Sequence, residues 1–530
     1  MPRPAILKSA AEVGTVFADG NLVSVSSSSG LGCPDAVLAA LGEHFRQTGT
    51  PRDLVLIHPI AAGDMYGVKG VDRIAQPGLI ARIIAGSYPS GPSSAPTPRI
   101  WSMVDNDEIE AWNLPSGIIF HMLREGSAKR PGVLTKVGLG TFVDPRRQGG
   151  RMNRRTDATL VEVEEFRGEE WLFYPALTPD VSVVRATTAD TNGNLAFRRE
   201  GAYLGAYEQA LAARNNGGTT IAQVSEIVPA GSLAMQTVRV PGILVDHLFV
   251  APDQRQTTQT DYDPAISGET TVDVAALEPI AWSPEKVIAR RTAQELADGQ
   301  TVNLGFGISA LVPYILLEEG LDGSVTWVIE QGAVGGLPLL GFQFGCAVNA
   351  QALVPSPDQF TYFQGAGFDQ ALLSFLEIDR EGNVNVSRIA ARPAITAGAG
   401  GFIDITAHAR KIVFSGTFTT AGLNLDMENR SLHIRNEGKV RKFVDQVEHV
   451  TFSGRHARER GQNVTVVTER CVLQLESDGW TATEIAPGVD FDRDIQDQCG
   501  FPLLRSSELC SMDPALFAPE PINLRLQPAF

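Results

Sequence analysis

Short apolar strands and longer helical stretches alternate along the chain. Val325 to Ile329 reads as a buried strand. Thr301 to Gly320 (TVNLGFGISALVPYILLEEG) reads as a strand, a glycine turn and a helix. Ser283-Pro284-Glu285 predicts a helix start, with serine as the cap and proline in the first turn. The same alternation runs through both halves of the chain. It predicts an α/β fold on mostly parallel sheets.

Two echoes sharpen that picture. Ala18-Asp19-Gly20 and Ala297-Asp298-Gly299 each follow a helical stretch and precede an apolar strand. Asp190-x-x-Gly193-Asn194 and Asp379-x-x-Gly382-Asn383 each form a polar turn between apolar strands. The first pair of echoes lies farther apart in sequence than the second, so the N-terminal copy carries extra residues between its landmarks. The expected architecture is two related three-layer α/β/α domains, a duplicated fold with an insertion in the N-terminal copy. We place an N-terminal domain at 1–255, a linker at 256–284 and a C-terminal domain at 285–530. The Pro/Ser/Gly run from Tyr88 to Pro98 is expected to be a surface loop of the insertion.

Composition narrows the function. The chain has 530 residues, enough for two cores, and a net charge of -17. That balance argues against nucleic acid and anionic membrane as partners. The longest apolar runs, such as Leu311 to Leu317, are too short to span a bilayer, and the N-terminus shows no signal-peptide pattern. Five scattered cysteines without a CxxC pair and eight histidines without HExxH spacing predict no disulfide framework and no metal. A cytoplasmic protein is expected. Arg146, Arg147, Arg151, Arg154 and Arg155 form a basic cluster, read first as a solvated face and second as a site for phosphates or a subunit contact.

The candidate chemistry begins at Glu330. It ends an apolar strand and is followed by Gly332, Gly335 and Gly336, a loop poor in side chains against which a substrate could lie. Gly365-Ala366-Gly367 and Gly398-Ala399-Gly400-Gly401 add further glycine loops in the same half. Ligands of open α/β sheets bind at the carboxyl ends of the strands, and exposed backbone N–H groups there can form an oxyanion hole. A lone carboxylate among such donors points to covalent catalysis on an activated carbonyl. No second acid is nominated. The rival reading rests on Gly305-x-Gly307-x-x-Ala310, a loose dinucleotide fingerprint with Glu330 as the ribose-binding acid, which would make the chain a nicotinamide-dependent oxidoreductase. No Gly-x-Ser-x-Gly elbow stands in the right context, and Ser309 reads as a helix cap.

Several stretches together resemble the class I coenzyme A transferases of the fused, single-chain acetate/propionate type. In the N-terminal half these are GLGTFVDPRRQGGRMN (138–153), VVRATTADTNGNLAF (183–197) and the stretch 225–246. In the C-terminal half they are VIEQGAVGGLP, FQGAGFDQALLSFLEIDREGNVNV, AGAGGFIDI and TEIAPGVDFDRDI. The resemblance covers nearly the whole chain. It implies that Glu330 is the nucleophile of a ping-pong transfer of CoA from a short-chain acyl-CoA to a free carboxylate, through an anhydride and then a glutamyl-CoA thioester. It further implies that Gly398, Gly400 and Gly401 form the oxyanion and CoA loop, that Gly305 and Gly307 form a CoA-binding turn, and that Gly332, Gly335 and Gly336 support Glu330. CoA would be a co-substrate, with no tightly bound cofactor, and the protein a homotetramer.

The chain departs from the family at LVLIHPIAAGD (54–64), which offers no asparagine as a second oxyanion donor. His58 in that stretch could substitute as a donor, and reads first as a structural histidine. Phe342, Phe344, Phe360, Phe363 and Phe368 are expected to line a small acyl pocket with the loops 331–341 and 360–368. A third reading, a non-catalytic acyl-CoA-binding protein on the same scaffold, stays open.

Overall fold

The computed structural model describes residues 3–90, 96–390 and 395–529. It is built on two large sheets. The first holds eight strands, all parallel, in the order Ala5–Leu7, His247–Val250, Thr219–Val224, Val181–Arg185, Leu22–Val25, Leu54–His58, Ile80–Ala85 and Glu110–Asn113. Residues two apart share a face of a strand, and here both faces are apolar. Val23, Val25, Leu54, Leu56, Val181 and Val183 pack into one core with the helix Asp35–Thr48. Ile57 and Ile84 point the other way, into a core with the helix Ser116–Ser127.

The second sheet holds ten strands. Its centre is parallel, from Thr326–Val328 through Thr301–Leu304, Gln370–Ser374 and Lys411–Ser415 to Asn463–Val467. Its margins include antiparallel pairs. Again two cores flank it. Val302, Leu304 and Leu372 face one, with the helix Pro284–Ala293; Ala371, Leu373 and Phe414 face the other. Ser283 caps that helix, accepting the Lys286 N–H, with Pro284 in the first turn as expected.

The echoes correspond to equivalent structure. Asp190 accepts the N–H groups of Asn192 and Asn194 and the Asn194 side-chain amide. Asp379 accepts the N–H groups of Glu381 and Asn383 and the Asn383 amide in the same pattern. Each turn joins two short strands beside its main sheet. The extra residues of the first half lie between the strands Leu54–His58 and Val181–Arg185. They supply two further parallel strands, the helix Ser116–Ser127 and a three-stranded antiparallel sheet of Gly132–Thr135, Glu162–Phe166 and Glu169–Pro175.

Two expectations need correction. Tyr88 does not lie on a surface loop. It is fully buried, its N–H donates to the Ala397 carbonyl and its hydroxyl to the Trp112 carbonyl, because this stretch meets the other half of the chain. Residues 91–95 of that run lie outside the described residues. Ser309 does not cap an α-helix. It sits inside a 3-10 turn, Ile308–Leu311, which precedes the short helix Val312–Glu318.

Candidate active site

Glu330 stands at the tip of a hairpin. The Gly332 N–H donates to the Ile329 carbonyl at 2.9 Å, and the Ile329 N–H to the Ala333 carbonyl at 3.0 Å. Ala333–Val334 then turns back antiparallel to the strand Thr326–Val328. Gly332 has φ of +113°, and a Cβ there would lie 1.8 Å from the Val354 carbonyl oxygen, so only glycine makes this turn. A second hairpin, Leu337–Pro338 against Ala347–Val348, follows through Gly335 and Gly336. The glycines after Glu330 therefore serve tight folding of the chain; they do not leave a bare loop. The bare backbone beside Glu330 comes from elsewhere.

That backbone is Gly398-Ala399-Gly400-Gly401. It is pinned onto the first half of the chain. The Gly400 N–H donates to the Gly86 carbonyl at 2.7 Å, and the Ser116 N–H to the Gly400 carbonyl at 2.9 Å. Asn113, fully buried at the end of its strand, accepts the Ala399 N–H at 2.8 Å. Its amide donates to the carbonyls of Ala85 and Gly86 at 2.8 and 2.6 Å. So held, Gly401 comes against the nucleophile candidate. A Cβ on Gly401 would lie 2.3 Å from Glu330 Oε2, so the Gly401 backbone stands beside the carboxylate, and its N–H is among the groups that favour the charged form.

The other oxygen is held from the other side. Gln331 Nε2 lies 3.2 Å from Glu330 Oε1 and 3.1 Å from the Ser28 hydroxyl. Ser28 belongs to a buried serine run of the first half, with Ser26 and Ser27. Glu330 thus sits where the two halves meet, partly accessible to solvent. Burial pushes its pKa up to about 7, against the pull of the Gly401 N–H and the Gln331 amide. Among the described residues no cation pairs with it. A carboxylate in this state is a poorly solvated, reactive oxygen with a backbone donor already beside it.

Gly305 and Gly307 open at the same end of the sheet, because their strand is the hydrogen-bonded neighbour of Thr326–Val328. Phe306 projects between them, 66 % exposed, its ring edge-on to Phe344 at 5.5 Å between centroids. The dinucleotide reading asks for an α-helix N-terminus after such a turn, and a 3-10 turn stands there instead. Of the five phenylalanines expected around an acyl group, Phe360, Phe363 and Phe368 are buried in the core, and Phe342 stacks on Tyr66 at 4.7 Å. Phe360 packs where a Cβ on Gly401 would stand, beside Glu330.

His58 is fully buried, packed edge-on against Tyr88, and desolvation lowers its pKa to about 4, which fits a structural role. Arg146 is bound to Asp144 and Glu170. Arg147, Arg151 and Arg154 line a cleft of about 670 Å³ away from Glu330, together with Arg388 and as many acidic side chains as basic ones. Among the described residues that line it, the charges therefore balance. Reading along the sequence missed Ser28 and Asn113, and did not single out Asp404, which is fully buried in the Glu330 pocket. The one visible signal for Asn113 is a polar residue closing an apolar strand just before Leu114-Pro115.

A family profile described as coenzyme A transferase matches residues 7–251. A caffeate CoA-transferase of Acetobacterium woodii is 39% identical over 516 residues, covering 96% of this chain and 97% of that protein. The acetate CoA-transferase YdiF of Escherichia coli K12 is 37% identical, covering 97% and 95%. The crystal structure of the acyl-CoA transferase YdiF apoenzyme from Escherichia coli O157:H7 superposes with a TM-score of 0.92 at 36% identity, covering 99% of this chain and 98% of that one. A thioester complex of that enzyme with CoA matches equally well.

Proposed function

The chain belongs to the coenzyme A transferase family, and we propose from that premise that Glu330 carries its reaction. The protein is an acyl-CoA:carboxylate CoA-transferase. In the proposed mechanism the Glu330 carboxylate attacks the thioester carbonyl of an acyl-CoA. The carbon–sulfur bond breaks, leaving an acyl-glutamyl anhydride and CoA thiolate. The thiolate then attacks the glutamyl carbonyl, the acyl group departs as a carboxylate with one of the glutamate oxygens, and Glu330 holds CoA as a thioester. An incoming carboxylate takes CoA by the reverse steps. No water and no net proton enter, so the thioester free energy is conserved.

One observation carries this reading. Glu330 is held at a hairpin tip between the two halves, its pKa raised by burial, with no ion-pair partner among the described residues and the Gly401 backbone, with its N–H, beside Oε2. The same N–H can follow the charge as it moves onto the carbonyl oxygen in the tetrahedral state. Gly398 and Gly400 fix that loop, and Gly305 and Gly307 give a low wall along which CoA can approach. CoA is the co-substrate, and this chemistry asks for no other cofactor.

Relatives named for acetate and for caffeate differ in the size of the acid. We take the donor here to be a short-chain acyl-CoA, because Phe360 fills the space beside Gly401 and Glu330. A higher kcat/KM for acetyl-CoA than for caffeoyl-CoA supports that choice, and the reverse order rejects it. We take the assembly to be a homotetramer, to be tested by sedimentation.

The central test is direct. The protein is incubated with acetyl-CoA, treated with borohydride or hydroxylamine, and digested. Modification mapped to Glu330 is expected; modification at another residue, or none with CoA still bound, rejects the mechanism.

A further inference from the structure

Glu330 is not the only carboxylate in its pocket. Asp404, on the short helix Phe402–Thr406 that follows the Gly398–Gly401 loop, is completely buried. Its Oδ2 accepts the Gly117 N–H at 2.9 Å, at the start of the helix Ser116–Ser127 from the first half. Its Oδ1 accepts the Gln364 amide at 2.8 Å, from the end of the helix Ser356–Gln364. Both oxygens therefore act as acceptors, the arrangement that suits an ionised carboxylate.

Phe360 connects the two acids. A Cβ on Gly117 would lie 2.7 Å from both Asp404 Oδ1 and Phe360 Cβ. A Cβ on Gly401 would lie 2.3 Å from Glu330 Oε2 and 2.5 Å from Phe360 Cε1. The carboxylates stand at opposite ends of one phenylalanine side chain, with apolar material between them.

The groups facing this pocket offer no countercharge. On the helix Ser116–Ser127, His121 approaches Gln364, and burial lowers its pKa to about 4, so it is neutral. His408, just beyond the helix of Asp404, has its pKa lowered by burial. Tyr174, on the strand Glu169–Pro175, is buried and un-ionised, its hydroxyl donating to the Val137 carbonyl. Arg124 lies toward the rim, bound to Glu208 and Asp358. Among the described residues neither Glu330 nor Asp404 has an ion-pair partner.

We propose that Asp404 is a positioning residue whose buried carboxylate, fixed by Gly117 and Gln364 at the far end of Phe360 from Glu330, drives Glu330 toward its uncharged, CoA-bonded form. Two like charges at either end of one buried ring repel. When Glu330 exchanges its negative charge for a thioester, that repulsion ends, and the charge leaves with the product carboxylate. Asp404 also ties the helix after the Gly398–Gly401 loop to helices from both halves, which keeps the Gly401 N–H aimed at Glu330. Burial, and to a lesser degree the neighbouring Glu330, push the Asp404 pKa up to about 7.

This inference rests on Glu330 being the nucleophile. The test uses the full chain, equilibrated at pH 8 with acetyl-CoA and acetate at a fixed ratio, and intact-mass spectrometry to read the fraction carrying CoA. Asp404→Asn is nearly isosteric, and its amide can still pair with a rotated Gln364 amide. It is expected to lower the equilibrium constant for the CoA-bonded form by roughly tenfold, the worth of about one pK unit. The acid limb of the acyl-exchange rate should also move to lower pH.

A purely structural role would reduce melting temperature and rate without moving either quantity. Gln364→Leu, which removes a donor that favours the Asp404 charge, should shift the equilibrium the same way by less, and serves if D404N fails to fold. Wild-type values of both quantities in the folded variants would overturn the proposal. Absence of CoA on Glu330 in the wild type would instead sink the proposed mechanism.

Discussion

Gly401→Ala tests the geometry of the site with a single methyl group. Gly401 has φ of -84° and ψ of 0°, a right-handed conformation that alanine adopts without strain. The cost is therefore contact alone. The new Cβ would lie 2.3 Å from Glu330 Oε2, and 2.5 and 2.9 Å from Phe360 Cε1 and Cζ. Ordinary contact needs about 3.5 Å, so something must move by about 1 Å. Phe360 is fully enclosed in the largest core and yields little. Glu330, at a hairpin tip, yields instead. A displacement of that size in a reacting group costs roughly 100-fold in rate. The overpacking itself costs about 1–3 kcal/mol of stability.

The assay is exchange of CoA between acetyl-CoA and isotopically labelled acetate at saturation, with thermal unfolding followed alongside. The adjacent Gly400→Ala separates strain from contact. Gly400 has φ of +57°, and its Cβ would meet nothing within 4 Å. Its penalty is conformational, about 1–2 kcal/mol, and falls first on stability. The expected order in lost turnover is G401A well beyond G400A. A G401A protein that turns over within threefold of wild type would show that Glu330 does not react in the place described.

Three further outcomes follow from the same pocket. Glu330→Gln should abolish exchange and CoA attachment. The folded chain holds its Glu330 proton up to about pH 7 while the unfolded chain loses it near the ordinary value of 4.5, so wild-type stability falls as pH rises across that window; E330Q should melt higher than wild type at pH 8 and level with it near pH 5. Single-turnover exchange should rise about tenfold per pH unit below about pH 7 and flatten above it, because the attacking group must be ionised; a flat profile from pH 5 to 8 contradicts the assignment. Asn113→Ala leaves the Ala399 N–H and the carbonyls of Ala85 and Gly86 without a buried partner, and should cost about 2–4 kcal/mol in denaturant unfolding together with kcat. An unchanged kcat in N113A would mean that the clamp does not set the loop.

Much of the scaffold was readable as local pattern. The Ser283 cap, the alternation of strands and helices and the repeated Asp-x-x-Gly-Asn turn are each settled by a few neighbouring residues. The site was only partly readable, since its partners come from opposite halves. Asn113 meets Ala399 across 286 positions, and Gln331 meets Ser28 across 303. Nothing in either short stretch announces the other. Glycine misled in a different way. Gly332 and Gly336 are required by positive φ and by carbonyls at 1.8 and 2.3 Å from where a Cβ would stand. In a sequence, such residues look the same as a loop kept bare for a ligand. Phenylalanine has the same ambiguity, because a side chain that lines a pocket and one that fills a core are equally apolar.

The two copies place different things at one topological position. Aligning Leu22–Val25 with Thr301–Leu304 superimposes their neighbouring strands, because Val23 faces Leu56 as Val302 faces Trp327. The residue matching Glu330 is then Pro59, directly after His58. Pro59 cannot attack anything, and its carbonyl is packed so closely that a Cβ on Gly86 would lie 1.9 Å from it. The extra chain of the first copy begins there. It brings in Gly86, Asn113 and Gly117, the residues that fasten the Gly398–Gly401 loop and Asp404. In the second copy the same position stays a short hairpin with an acid at its tip. One half has become the clamp and the other carries the nucleophile. A reactive carboxylate needs both, because its desolvation and its backbone donor arise only where the two halves close on each other.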